Sequence, residues 1–175
     1  MHFARTEIRA SAPCLRTPSN RVLPPVQQTL LIPLVARALG DALYPGHACA
    51  DVQAQQLLQH LQIDGSTYLA DRATVLNVLW RTRLIRGVAQ AFFAQHPGAW
   101  GLNLGCGLSH YFQWLDTGLN TWVDADLSEV MALRKVLLPA QPPRLRAVTV
   151  DLQTCDWWQR LRLPQRACAQ PMLVL

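Results

Sequence analysis

Charge is scarce in this chain: Asp, Glu, Lys and Arg together make up 15% of its 175 residues. The net charge is only +5, carried almost wholly by arginine and spread along the chain. No compact run of basic residues is present, which argues against a nucleic-acid groove and against nucleic acid as a partner. No apolar stretch is long enough to span a bilayer, so no membrane is expected as a partner either. The cysteines (Cys14, Cys49, Cys106, Cys155 and Cys168) are odd in number, with no CxxC pair and no Cys/His cluster. That fits reduced thiols in a cytoplasm better than a disulfide framework or a zinc site, and leaves no metal expected. Internal repeats and low-complexity tracts are lacking. The opening residues have no apolar h-region, so they are not a secretory signal. With Arg5, Arg9, Arg16 and Arg21 against Glu7, residues 1–25 read as a flexible extension or as the product of a start codon placed too early. An arginine-containing presequence is the alternative.

Apolar residues are plentiful, at 50%. The length suits one core and is short for two. Pro24-Pro25 closes the extension, and residues 26–98 read as a helical N-terminal region. Val26–Leu43 carries Leu30, Leu31, Leu34, Val35 and Leu39 at helical spacing, interrupted by Pro33. Asp51 caps a short helix with Val52, Leu57, Leu58 and Leu61. A longer helix is expected from Thr74 to Gln95, with Val75, Leu79, Leu84, Ile85, Val88, Phe92 and Phe93 as its apolar face.

After Pro97-Gly98 the rhythm changes to strand–helix alternation, which implies a parallel sheet over residues 99–175. Strands are expected at Trp100–Leu104, Thr121–Asp124, Leu145–Val150 and Met172–Leu175. Helices are expected at Ser109–Leu115, Leu127–Leu138 and Cys155–Leu161. The fold class is α/β, with a Rossmann-like sheet. Only its first strands are present, and the N-terminal helices pack on it as a cap or lid.

Two motifs carry the chemistry. Asn103-Leu104-Gly105-Cys106-Gly107-Leu108 reads as a strand, a glycine turn and the start of a helix, and glycines there let the backbone pass close to a ligand. A dinucleotide fingerprint needs a third glycine at position 110, which is His110. A GxG turn without it suits a cofactor lacking phosphates, of which S-adenosylmethionine is the common case. Cys106 reads as a small residue fitting the turn, and His110 as a packing residue with an acid–base role as the alternative. The second motif is Trp122-Val123-Asp124-Ala125-Asp126, a strand ending in acid. Asp126 follows Gly105 by about the 20 residues expected of a ribose-binding acid. Asp126-Leu127-Ser128-Glu129 also has the form of a helix-capping box, a compatible role. Asp151 and Leu152, after the third strand, lie where an adenine rests in this fold.

At these residues the chain resembles the leucine carboxyl methyltransferase family and the related bacterial O-methyltransferases of polyketide synthesis. Asn103–Gly107 and Trp122–Lys135 carry the resemblance, above all the pattern acid–apolar–Pro–x–Val–x–x–x–Arg, here Asp126 to Arg134. Trp80-Arg81-Thr82-Arg83 is similar to the family's arginine segment. Thr29–Ala38 and the Asp51 region are similar to its N-terminal helices. The resemblance covers about residues 26 to 175.

It implies S-adenosylmethionine as cofactor, with Arg81 on the methionine carboxylate, Gly105 and Gly107 along the methionine part, and Asp126 on the ribose. Asp124 completes the acidic pair, and Asp151 and Leu152 hold the adenine. The implied reaction is methyl transfer to a carboxylate or hydroxyl oxygen of a small-molecule acceptor whose identity the sequence does not give. No residue is identified as catalytic. Departures from the pattern are Ser109-His110-Tyr111 for Asp-Thr-Arg, Ser128 for proline, and Arg86 for an acid. Family members continue beyond a fourth strand with three more, so a truncated enzyme is expected. The alternative is an inactive cofactor-binding remnant lacking the acceptor pocket.

Overall fold

A computed structural model describes residues 29–138 and 140–175, without the side chains of Arg166 and Cys168. The extension at residues 1–25 lies outside the described residues. Three helices come first: α1 (Leu31–Leu43), α2 (Val52–Leu61) and α3 (Arg72–Gln95). Alternation follows, as β1 (Trp100–Leu104), α4 (Phe112–Leu115), β2 (Thr121–Asp126), α5 (Ser128–Leu137), β3 (Leu145–Thr149), α6 (Trp157–Arg160) and β4 (Met172–Val174). The four strands form a parallel sheet in the order β3-β2-β1-β4. This is an α/β fold with an N-terminal helical region, as the alternation implies.

Local chemistry explains where the helices begin. Asp51 caps α2, its carboxylate accepting the Ala54 N–H at 2.9 Å. Asp71 caps α3 through Thr74, starting that helix ahead of the expected Thr74. Pro33 does not interrupt α1. It lies in the first turn, where a helical N–H has no partner to lose.

α1 and α3 approach closely at Gly40, where an added Cβ would sit 2.9 Å from Val75. On the sheet, the Trp122 indole fills the place of a side chain at Gly101, 2.2 Å from where a Cβ would stand. Phe93 of α3 and Phe112 of α4 pack against that indole with tilted rings. Leu31, Leu34, Leu57 and Leu61 of α1 and α2 pack with Leu108 and with Leu133 and Leu137 of α5. The helical region is therefore built into the core on one side of the sheet.

The apolar face expected on α3 is partly wrong. Val75, Leu79 and Phe93 are buried, but Leu84 and Val88 are 50% and 56% exposed, while Val78, Thr82 and Ala89 are buried instead. The buried stripe runs through Val75, Val78, Leu79, Thr82, Ala89 and Phe93, and the missing side chain at Gly40 makes room for Val75 and Leu79 against α1.

Candidate cofactor site

The glycine turn leaves β1 at the carboxyl end of the sheet. Gly105 and Gly107 have φ of +64° and +50°, the left-handed region that side chains resist. The N–H groups of Gly105 and Cys106 both donate to the Ala125 carbonyl, at 2.9 and 3.2 Å, tying the turn to the end of β2. Among the described residues, a Cβ at Gly105 would meet nothing within 4 Å, so they leave open space over that residue.

Asp126 closes this space from the next strand. One carboxylate oxygen accepts the Gly107 N–H at 2.7 Å and the other the Leu127 N–H at 2.8 Å. The capping box is thus not formed. α5 begins after Leu127 with no side-chain cap, and Ser128 bonds Glu129 instead. The Asp126 carbonyl accepts the Val150 N–H at 2.8 Å, which brings Asp151 and Leu152 to the same edge. Asp151 is exposed and accepts the Gln153 N–H at 2.9 Å, and Leu152 is also exposed. Gly105, Gly107, Asp126, Asp151 and Leu152 therefore line one rim of the sheet.

Asp124 lies elsewhere. Only 1% exposed, it accepts from Asn103 Nδ2 and Trp122 Nε1, each at 2.9 Å, and is ion-paired with Arg134. Its oxygens are occupied by protein donors, so it is a core anchor, and its assignment as a cofactor contact is corrected by this burial. Arg81 is exposed on α3 and has no hydrogen bond or ion pair among the described residues. Its charge is felt at Tyr111, which places it toward the loop leaving the turn.

The sequence reading attached no role to two buried arginines. Arg134 donates to the carbonyls of Gly107 and Ser109, both at 2.7 Å. Arg37 donates to the Leu108 carbonyl at 3.2 Å and pairs with Asp51 at 2.8 Å. Three consecutive carbonyls of the turn are thus held by guanidinium groups from α5 and α1. This also shortens α4, expected from Ser109 but formed only from Phe112, because carbonyls needed for its first turn are already engaged. Gln113 joins the network, donating to Asp51 and to the His110 carbonyl. The available signal for Arg37 was a charge among Leu34, Val35 and Ala38, on a face otherwise apolar.

His110 is buried, and its Nδ1 has no hydrogen-bond partner among the described residues. Burial lowers its pKa, with Asp124 and Asp51 acting in the opposite direction and Arg134 in the same one. Burial likewise pushes the Cys106 thiol up, which makes it a packing group rather than a nucleophile. Among the described residues no cluster of His, Cys, Asp and Glu could hold a metal ion, and no helix is long and apolar enough to cross a membrane.

No protein-family model matches the chain. It is 34% identical over 133 residues to the tetracenomycin polyketide synthesis O-methyltransferase of Streptomyces glaucescens, a match that covers 75% of this chain and 48% of that protein. The chain thus spans about half the length of the curated relative it matches.

Proposed function

Proceeding from this distant homology to a polyketide O-methyltransferase of the leucine carboxyl methyltransferase-like group, we propose that the chain binds S-adenosylmethionine at the carboxyl rim of its sheet and serves methyl transfer to an oxygen of a small-molecule acceptor. The observation that carries the reading is the position of Asp126, bonded to the glycine turn and joined through its carbonyl to the end of β3.

The residues fit the cofactor. A carboxylate offers about four acceptor positions. Two are used by Gly107 and Leu127, which leaves lone pairs for two ribose hydroxyls. Backbone without side chains at Gly105 and Gly107 admits the methionine part, and Asp151 and Leu152 face the adenine. Arg81, exposed and without a partner among the described residues, has the charge and fork geometry to take the methionine carboxylate. Asp124 supports the site from below by fixing Arg134, which in turn fixes the turn.

When bound, the cofactor supplies a sulfonium methyl group. The chain's own part is to hold it, orient it and keep the turn in shape. A carboxylate acceptor needs little activation, so positioning of the two reactants accounts for the catalysis. No side chain is assigned as catalytic.

The test is calorimetric titration of the chain with S-adenosylhomocysteine, alongside Asp126→Ala. Saturable binding is expected, weakened in the variant by about tenfold to a hundredfold, or ~1.4 to 2.8 kcal/mol. Equal binding by the variant would put the ribose elsewhere. No binding by the folded chain would overturn the cofactor reading and mark the chain as an inactive fragment.

A further inference from the structure

Among the described residues, β3 is one edge of the sheet, hydrogen-bonded to β2 alone. The ladder includes the bonds from Trp122 N–H to the Arg144 carbonyl and from Val150 N–H to the Asp126 carbonyl. Even-numbered residues therefore face β2. The backbone N–H and C=O of Ala147 and Thr149 point outward, and both residues are exposed.

Different surroundings lie on the two faces of this edge. On one, Leu145, Ala147 and Thr149 border a largely apolar groove of about 690 Å³ with Met131, Lys135 and Leu138. On the other, a pocket of about 360 Å³ is lined by Arg146, Arg160 and Arg162, with no carboxylate among the described residues that line it. Arg146 is fixed by the carbonyls of Leu161 and Arg162, at 3.2 and 3.4 Å. Arg162 holds a left-handed backbone, φ +48°. Arg160 pairs with Asp156, an exposed pair of little strength.

We propose that β3 is a docking edge for an acidic, extended polypeptide segment that adds alongside it as an outer strand. Side chains of such a strand alternate between the two faces. Small apolar ones enter the groove beside α5, and carboxylates meet Arg146, Arg160 and Arg162. The charge excludes two other occupants. A second copy would bring one basic edge against another. Residues 1–28 carry Arg5, Arg9, Arg16 and Arg21 against the single acid Glu7, the wrong sign for the pocket.

The proposal is independent of the cofactor reading and is tested without methyl transfer. The probe is a fluorescein-labelled peptide of alternating valine and glutamate, long enough to span β3, followed by anisotropy with the full chain. A valine–lysine peptide is the control. Saturable binding of the glutamate peptide alone is expected, weakened about tenfold or more by Arg146→Glu with Arg162→Glu. Ala147→Pro removes one outward N–H and no bond to β2, an allowed use of proline at an edge. It should abolish binding while circular dichroism stays unchanged. No binding of the glutamate peptide, or equal binding of the lysine peptide, overturns the proposal. So does full binding by Ala147→Pro with displacement by inorganic pyrophosphate, which would mark a pocket for small anions.

Discussion

Asp124 and Asp126 share a strand, a side chain and, two residues apart, a face of the sheet. Asp124 lies within β2, beneath α5, where water is excluded and both oxygens must find protein donors; Arg134, Asn103 and Trp122 provide them. Asp126 lies at the strand's end, bonded to two backbone N–H groups and partly open to solvent. One carboxylate is thus consumed by the fold, and the other has capacity left for a ligand. The difference comes from position along the strand, because a parallel sheet buries its middle and opens its carboxyl ends.

Removing the buried acid is expected to have the largest effect. Asp124→Ala strands Arg134 in the core, a change that costs about 3–5 kcal/mol in comparable pairs. Urea unfolding measures it, and a loss below about 1 kcal/mol would erase the contrast with Asp126.

Gly105→Ala tests the open side with an intermediate effect. Its φ of +64° strains an alanine by about 1–2 kcal/mol. The Cβ meets no atom of the described residues, so a loss of S-adenosylhomocysteine affinity at constant folding would report a ligand pressing on that spot.

The smallest effect concerns His110, which faces Asp124, Arg134 and Asp51 from its buried position. Its folded pKa lies below the unfolded value of about 6.5, so the unfolded chain takes up the proton first. Its stabilising contribution is full above that pH and is lost as pH falls from about 6.5 toward the folded value. His110→Gln should flatten this part of the stability profile; an unchanged slope would show that the imidazole is already charged or solvated in the native chain.

The sheet was largely legible in the sequence. β1 matches its expected bounds, while β2 runs two residues further, through Asp126. Short apolar runs between turn residues determine such strands locally. The rim was legible for the same reason, since glycines at a strand end and an acid at the next are set by spacing. Contacts between distant residues were not. Arg37 and Leu108 are 71 positions apart, and nothing in either neighbourhood announces the other. The capping box shows a local pattern overruled, because the Gly107 N–H competes for the carboxylate that would have capped α5. On α3, periodicity found a helix but not which side of it the core would accept, because that depends on where α1 and the sheet lie, which the local sequence does not contain.

Arg134 and Arg37 grip three successive carbonyls of the turn, so its shape is set by the helices around it and not by what arrives. A receptor finished in advance charges no ordering entropy to its guest. Ligands of differing affinity should then enter at similar speeds and be told apart by how long they stay.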